Sequence, residues 1–109
     1  MVAKATQAPP KANKTELLYA ASVLEPRRMI GEIKRYDFEV ERLRLADNTF
    51  YTPDWRVVIA DDTIEFHEVK GFLREAAFVR IKVAAELHPY RFVMVRRVKR
   101  AFSVIWQSN

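Results

Sequence analysis

Residues 52–71 read TPDWRVVIADDTIEFHEVKG, and this stretch decides the fold. The β-branched and aromatic residues on either side of Asp61-Asp62 predict two strands, Phe50 to Ile59 and Ile64 to Lys70, joined by a tight turn and punctuated by Gly71. Facing residues of a hairpin have position numbers of constant sum. A register in which that sum is 122 centres the turn on Asp61 and sets Asp54 opposite Glu68. Their Cβ atoms are then about 5 Å apart on one face. Lys70, two residues on, points the same way. The alignment requires an odd-numbered loop or a bulge.

Like charges placed directly opposite destabilise a sheet. A bridging cation reverses the penalty, since two carboxylates and water suit magnesium or manganese. Lys70 can then stabilise charge developing on a phosphate. This chemistry is that of a nuclease. The competing reading is a surface hairpin in which Lys70 simply pairs with Glu68.

The remainder of the 109 residues narrows the classes. The length suits one domain. Without cysteine there are no disulfides, thiolate nucleophiles or zinc–thiolate sites, which fits a reducing compartment. His67 and His88 are too few for a histidine-rich metal site. The N-terminal residues show no signal-peptide pattern, and no stretch is long and apolar enough to span a membrane. Charge is uneven: residues 1–69 carry a net −2 and residues 70–109 a net +7. That asymmetry suits a polyanion partner met by the C-terminal portion, or a solvated basic surface.

Working outward, residues 1–12 lack periodicity and read as a flexible, mildly basic arm, with a single domain over 13–109. Asn13 has the character of a helix N-cap. Leu17, Ala20, Ala21 and Leu24 form the stripe of a short helix that Pro26 closes. Residues 33–45 predict a long strand whose apolar phase slips between Val40 and Leu43, the mark of a bulge. A turn follows at Ala46-Asp47-Asn48. Leu73 to Leu87 predicts a second helix, ended by His88-Pro89. Arg91 to Val95 is a further strand and Ala101 to Ile105 a candidate last one. The class is α/β: a mixed α+β sheet in the order helix, three strands, helix, one or two strands.

Thr52-Pro53-Asp54 on one strand and Glu68-Val69-Lys70 on the next, between a leading and a following helix, resemble the PD-(D/E)XK nuclease superfamily. The closer likeness is to small phage and prophage proteins within it. It extends to Lys14-Thr15-Glu16, Gly31-Glu32-Ile33, Tyr51 and Gly71, and runs from about residue 14 to residue 95. The resemblance implies a restriction-endonuclease-like core and magnesium-dependent endonuclease activity. Asp54 and Glu68 become metal ligands and Lys70 the catalytic lysine. It also implies a role for an acid on the first helix, which Glu16 matches, with Glu32 in reserve. A phage-encoded protein of this kind would work in the cytoplasm of a bacterial host. Against the role for Glu16 stands a local alternative: it sits three residues after Asn13 and can close a capping box.

On a helical wheel Arg80 falls in the middle of the face formed by Leu73, Ala76, Ala77, Ala84 and Leu87, where a guanidinium needs a fixed partner, an acid or a phosphate. Lys82 falls opposite, set to pair with Glu86. Arg96, Arg97, Lys99 and Arg100 are candidate phosphate contacts, or else a charged turn. His67 points away from Glu68 and Lys70. Trp106 is core, interface or a stacking platform for a base. The expected function is a metal-dependent DNA endonuclease, a candidate for junction or branched DNA, working as a homodimer because one small domain cannot grip a duplex. The alternative is a non-catalytic module that binds nucleic acid or protein on the same scaffold.

Overall fold

The computed structural model describes residues 11–71 and 75–108. The arm expected over 1–12 lies outside these residues save for Lys11 and Ala12, and so does Leu73 of the expected second helix. The chain runs α1 (Lys14–Tyr19), a π-helical turn (Ala20–Leu24), α2 (Glu25–Met29), β1 (Ile33–Phe38), β2 (Leu43–Ala46), β3 (Thr49–Tyr51), β4 (Trp55–Ile59), β5 (Ile64–Lys70), α3 (Glu75–Leu87), β6 (Arg91–Val98) and β7 (Ala101–Gln107). Five strands form one sheet in the order β1-β4-β5-β6-β7, and β2 and β3 form a separate hairpin. Among the described residues only β5 and β6 pair in parallel, across the crossover through α3. The architecture is mixed α+β with a mostly antiparallel sheet, which agrees with the expected class.

The β4–β5 hairpin has the predicted register. Trp55 faces His67, Arg56 faces Phe66, Val57 faces Glu65 and Val58 faces Ile64. The loop has three residues, Ala60 to Asp62, closed by the Ile59 N–H donating to the Thr63 carbonyl at 2.8 Å. Asp62 takes the left-handed conformation (φ 73°) that ends such loops. The middles of β5 (Phe66, His67, Glu68, Val69) and β6 (Phe92, Val93, Met94, Val95) are buried on both faces, β6 through an apolar run and β5 with a histidine and a glutamate among its buried residues.

Each face of the sheet has its own core. On one, Tyr19, Ala20 and Leu24 of the leading helix pack against Ile33, Tyr36, Trp55, Val57, Val69, Val93 and Val95. On the other, Ala77, Ile81 and Ala84 of α3 pack with Leu43 and Tyr51 of the small hairpin and with Phe66, Phe92 and Met94.

Three expectations are corrected. Pro26 does not close the first helix. The π turn lets the Glu25 N–H reach back five residues to the Ala20 carbonyl, and the ladder restarts with Pro26 in the opening turn of α2, where a missing donor is tolerated. The same shift brings Tyr19 into the buried stripe and leaves Ala21 exposed. Residues 33–45 are not one bulged strand: the chain turns at Glu39 (φ 47°), whose N–H donates to the Asp54 carbonyl, and β2 belongs to the other hairpin. The expected strand from Phe50 to Ile59 is likewise split into β3 and β4 around Thr52-Pro53-Asp54.

Leu24 is fully buried beneath the π turn. Leu24→Ala should cost about 2–5 kcal/mol. Urea denaturation should show this as a lower midpoint at unchanged slope, while Ala21→Ser at the exposed neighbour should leave the midpoint in place.

Candidate functional site

Asp54 stands just before β4, and the ladder explains its position. The Ile59–Thr63 bond sets the parity of the hairpin, so that in the same register 53 and 69 form a hydrogen-bonding pair and 54 and 68 a non-bonded one. Pro53 has no N–H to give, and pairing stops there. The Val69 N–H is taken instead by Asp54 Oδ2, at 2.8 Å. Non-bonded pairs bring side chains closest, and Asp54 and Glu68 are both 7% exposed. The hairpin is therefore not a surface one at this point, for these two acids share an interior, although the pairing of Lys70 with Glu68 that the competing reading expects is present.

Glu68 is fully engaged. The Tyr51 hydroxyl donates to its Oε1 at 2.7 Å, and Lys70 Nζ lies 2.9 Å from its Oε2. Burial and the Glu68 charge push the Tyr51 hydroxyl well above its ordinary range. Asp54 is less well served. Burial, then the Glu68 charge, push its carboxyl up to about 8, against the Val69 amide and Lys70, which lower it; Glu16 adds to the rise.

Glu16 makes the capping box. Its Oε1 accepts from the Asn13 N–H and the Asn13 side chain accepts from the Glu16 N–H, both at 2.8 Å. It reaches Asp54 through its field rather than by contact. Glu32 pairs with Arg27, and its carbonyl accepts from the Ala60 N–H at the start of the hairpin loop. That places it roughly 20 Å along the strand from Asp54, too far to serve the pair.

The basic candidates separate by strand alternation. Arg96 is the parallel partner of Lys70 and shares its face, one strand spacing away. Arg97 turns to the other face, where it donates to the Thr15 hydroxyl at 3.3 Å and to the Lys99 carbonyl at 2.6 Å. Lys99 and Arg100 are the two-residue loop between β6 and β7. They lie roughly 10 Å past Arg96 at the same end of the sheet.

Arg80 needs correction. α3 buries a narrow strip of Ala77, Ile81 and Ala84, while Ala76 and Leu87 are exposed, so the face is narrower than the wheel implied. Arg80 flanks it, exposed, with its charge bearing on the Tyr51 hydroxyl. Lys82 lies over the Phe78 ring, 4.8 Å from its centroid, rather than pairing with Glu86. His67 is buried on the opposite face, between the Tyr19 hydroxyl at 2.6 Å and Glu65 at 2.9 Å, and burial holds it below its ordinary pKa. Trp106 sets its edge against Phe78. Tyr51 was missed as a site residue, although it adjoins the Thr52-Pro53-Asp54 motif.

The pair fits a hard divalent cation in chemistry: two buried carboxylates, one of them short of positive charge. Among the described residues no three His, Asp or Glu side chains converge as a cage, so further ligands would come from water or substrate. No described helix is long and apolar enough to cross a membrane.

Two predictions follow from this geometry. The folded Asp54 carboxyl holds its proton more tightly than the unfolded one, so its contribution to stability is full below the ordinary value of 3.8 and declines as pH rises toward about 8. Asp54→Asn keeps the acceptor for Val69 and removes the charge. It should melt several degrees above the parent at alkaline pH and level with it in acid. Manganese at alkaline pH should raise the parent's melting temperature and leave the variant's unchanged. Glu16→Gln preserves the capping box, so it should leave the melting temperature within a degree or two; Asn13→Ala should cost about 1 kcal/mol.

The chain matches no family model, no curated protein and no solved structure.

Proposed function

We propose that this protein is a metal-dependent phosphodiesterase acting on DNA, built on a PD-(D/E)XK-type, restriction-endonuclease-like core. The observation that carries the reading is the buried pair Asp54 and Glu68, served by one ammonium, Lys70, with Arg96 alongside on the same face. A pair of like charges in the interior is costly unless something cationic joins it. A polyanion with its counter-cation meets that need.

Asp54 and Glu68 are the groups that would hold magnesium or manganese, which when bound supplies a polarised water and charge neutralisation at phosphorus. The chain's own residues do the rest. The Val69 amide and the Tyr51 hydroxyl fix the two carboxylates in place before any substrate arrives. Lys70 places its ammonium beside the pair, suited to the oxygens that gain charge during displacement. Arg96 and Arg80 flank this centre and suit a phosphate with their fork of donors. Hydrolysis joins a water oxygen to phosphorus, breaks one ester P–O bond and returns a proton to the departing hydroxyl.

A second reading draws on one observation. With Asp54 protonated and Lys70 on Glu68, the centre is neutral and satisfied without a metal, as a non-catalytic nucleic-acid- or protein-binding module would have it.

The two readings separate on cleavage. Incubated with plasmid, branched and single-stranded DNA, the protein should cut at least one form with magnesium or manganese and none in a chelator. Asp54→Asn, Glu68→Gln and Lys70→Ala should each lower the rate by about a hundredfold or more while still melting cooperatively. If no form is cut under either metal, or Asp54→Asn cuts normally, the binding-module reading replaces the enzyme. Arg96→Ala should reduce the salt dependence of DNA binding by about one ion, whereas Arg97→Ala should leave the slope unchanged.

A further inference from the structure

The two edges of the sheet are built differently. β1 presents Lys34, Arg35 and Asp37. β7, the other edge among the described residues, reads AFSVIWQ, seven residues without a charge or a proline in a chain that is 30% charged. Natural sheets protect their edges with inward or flanking charges, prolines, or very short strands, and β7 has none of these within it. Val104 is 56% exposed and Ile105 37%, and half-buried Phe102 extends the apolar surface on the side of the leading helix.

We propose that β7 is the interface of a symmetric homodimer, pairing antiparallel with β7 of a second copy to make a continuous ten-stranded sheet. The strand offers no charge by which an acidic or basic partner would be selected. A second copy supplies an edge of equal length, equally uncharged and equally open. Direction follows from the neighbouring loop. Lys99 and Arg100 sit at one end of β7, so antiparallel pairing sends the two basic loops to opposite ends of the joint, whereas parallel pairing would crowd four cations together. Such a contact is isologous and closes at two copies.

The arrangement has a consequence that rests on the proposed function. A two-fold axis perpendicular to the sheet keeps like faces together, so both Asp54–Glu68 centres open on one side. Counting strand spacings from Lys70 across β6 and β7 to the axis puts them roughly 25 Å apart. That separation suits two cuts in one duplex.

The test reads association and does not depend on cleavage. Sedimentation velocity on the full chain over a hundredfold range of concentration should show a reversible shift from the 12.8 kDa species to one of twice that mass. Val104→Lys adds a charge at an exposed edge position and should weaken dimerisation at least tenfold, with circular dichroism and melting temperature unchanged. Ser103→Lys should do the same from the other face. Val79→Lys, at an exposed apolar position on α3, should leave the dimer intact. A chain monomeric at all concentrations overturns the proposal, as do open-ended growth beyond two copies, a dimer that survives both edge lysines, and one dissolved by Val79→Lys.

Discussion

The hydrogen bond from the Val69 amide to the Asp54 carboxylate governs the centre of this molecule. The β4–β5 pairs end at Trp55–His67, and the Val69 amide, which a continued ladder would carry to the Pro53 carbonyl, donates to the Asp54 side chain. The carboxylate that accepts it is drawn into the sheet directly beside Glu68. The Asp54 carbonyl also takes the Glu39 amide, a bond in register with the β1–β4 ladder, before the chain turns away at Glu39 (φ 47°). One residue thus bonds to both neighbouring strands, through its carbonyl to the end of β1 and through its buried side chain to β5. Everything else near it compensates: Tyr51 and Lys70 occupy Glu68, and the Asp54 carboxyl retains its proton to unusually high pH.

The sheet divides labour between its faces. The side covered by the leading helix is closed by apolar packing and by the Tyr19–His67–Glu65 chain, in which every polar atom of the imidazole has a partner. The side covered by α3 and the small hairpin is where charge collects. Strand alternation keeps the two apart: Phe66, Glu68 and Lys70 face one way, His67 and Val69 the other. The same rule separates Arg96 from Arg97, two adjacent residues with different surroundings.

What was legible in the sequence was local. The constant-sum register of the hairpin, its odd-numbered loop, the Asn13 cap and the span of β5 follow from alternation and turn chemistry over a few residues, and the structure has them. What was not legible depended on distant partners or on backbone conformation. The break after Phe38 comes at Glu39, whose left-handed backbone (φ 47°) is not a conformation its residue type announces. Pro26 reads as a stop because an α-ladder cannot hold it, yet a π turn one step earlier makes room. A helical wheel sets Arg80 on one face with Ala76 and Leu87, whereas the contacts of α3 with the sheet and the β2–β3 hairpin use a narrower strip that leaves all three exposed. Tyr51 could have been found: a tyrosine three residues before the acid sits where a hydroxyl can reach across to Glu68. The basic run could also have been divided in advance, since any strand through Arg96-Arg97 must turn the two opposite ways.

The loop at Ala60–Asp62 sets an order of events. Hairpins close most cheaply next to their turn, where the entropy lost in bringing the strands together is least. Asp54 and Glu68 lie at the far end of β4–β5, and their repulsion is met only when the last pair forms. Ionisation should therefore weigh little on the rate of folding and fall mainly on the rate at which the finished structure opens. At alkaline pH the candidate site becomes the place where the sheet begins to unzip, and a cation held there would act as a latch on the native state's lifetime.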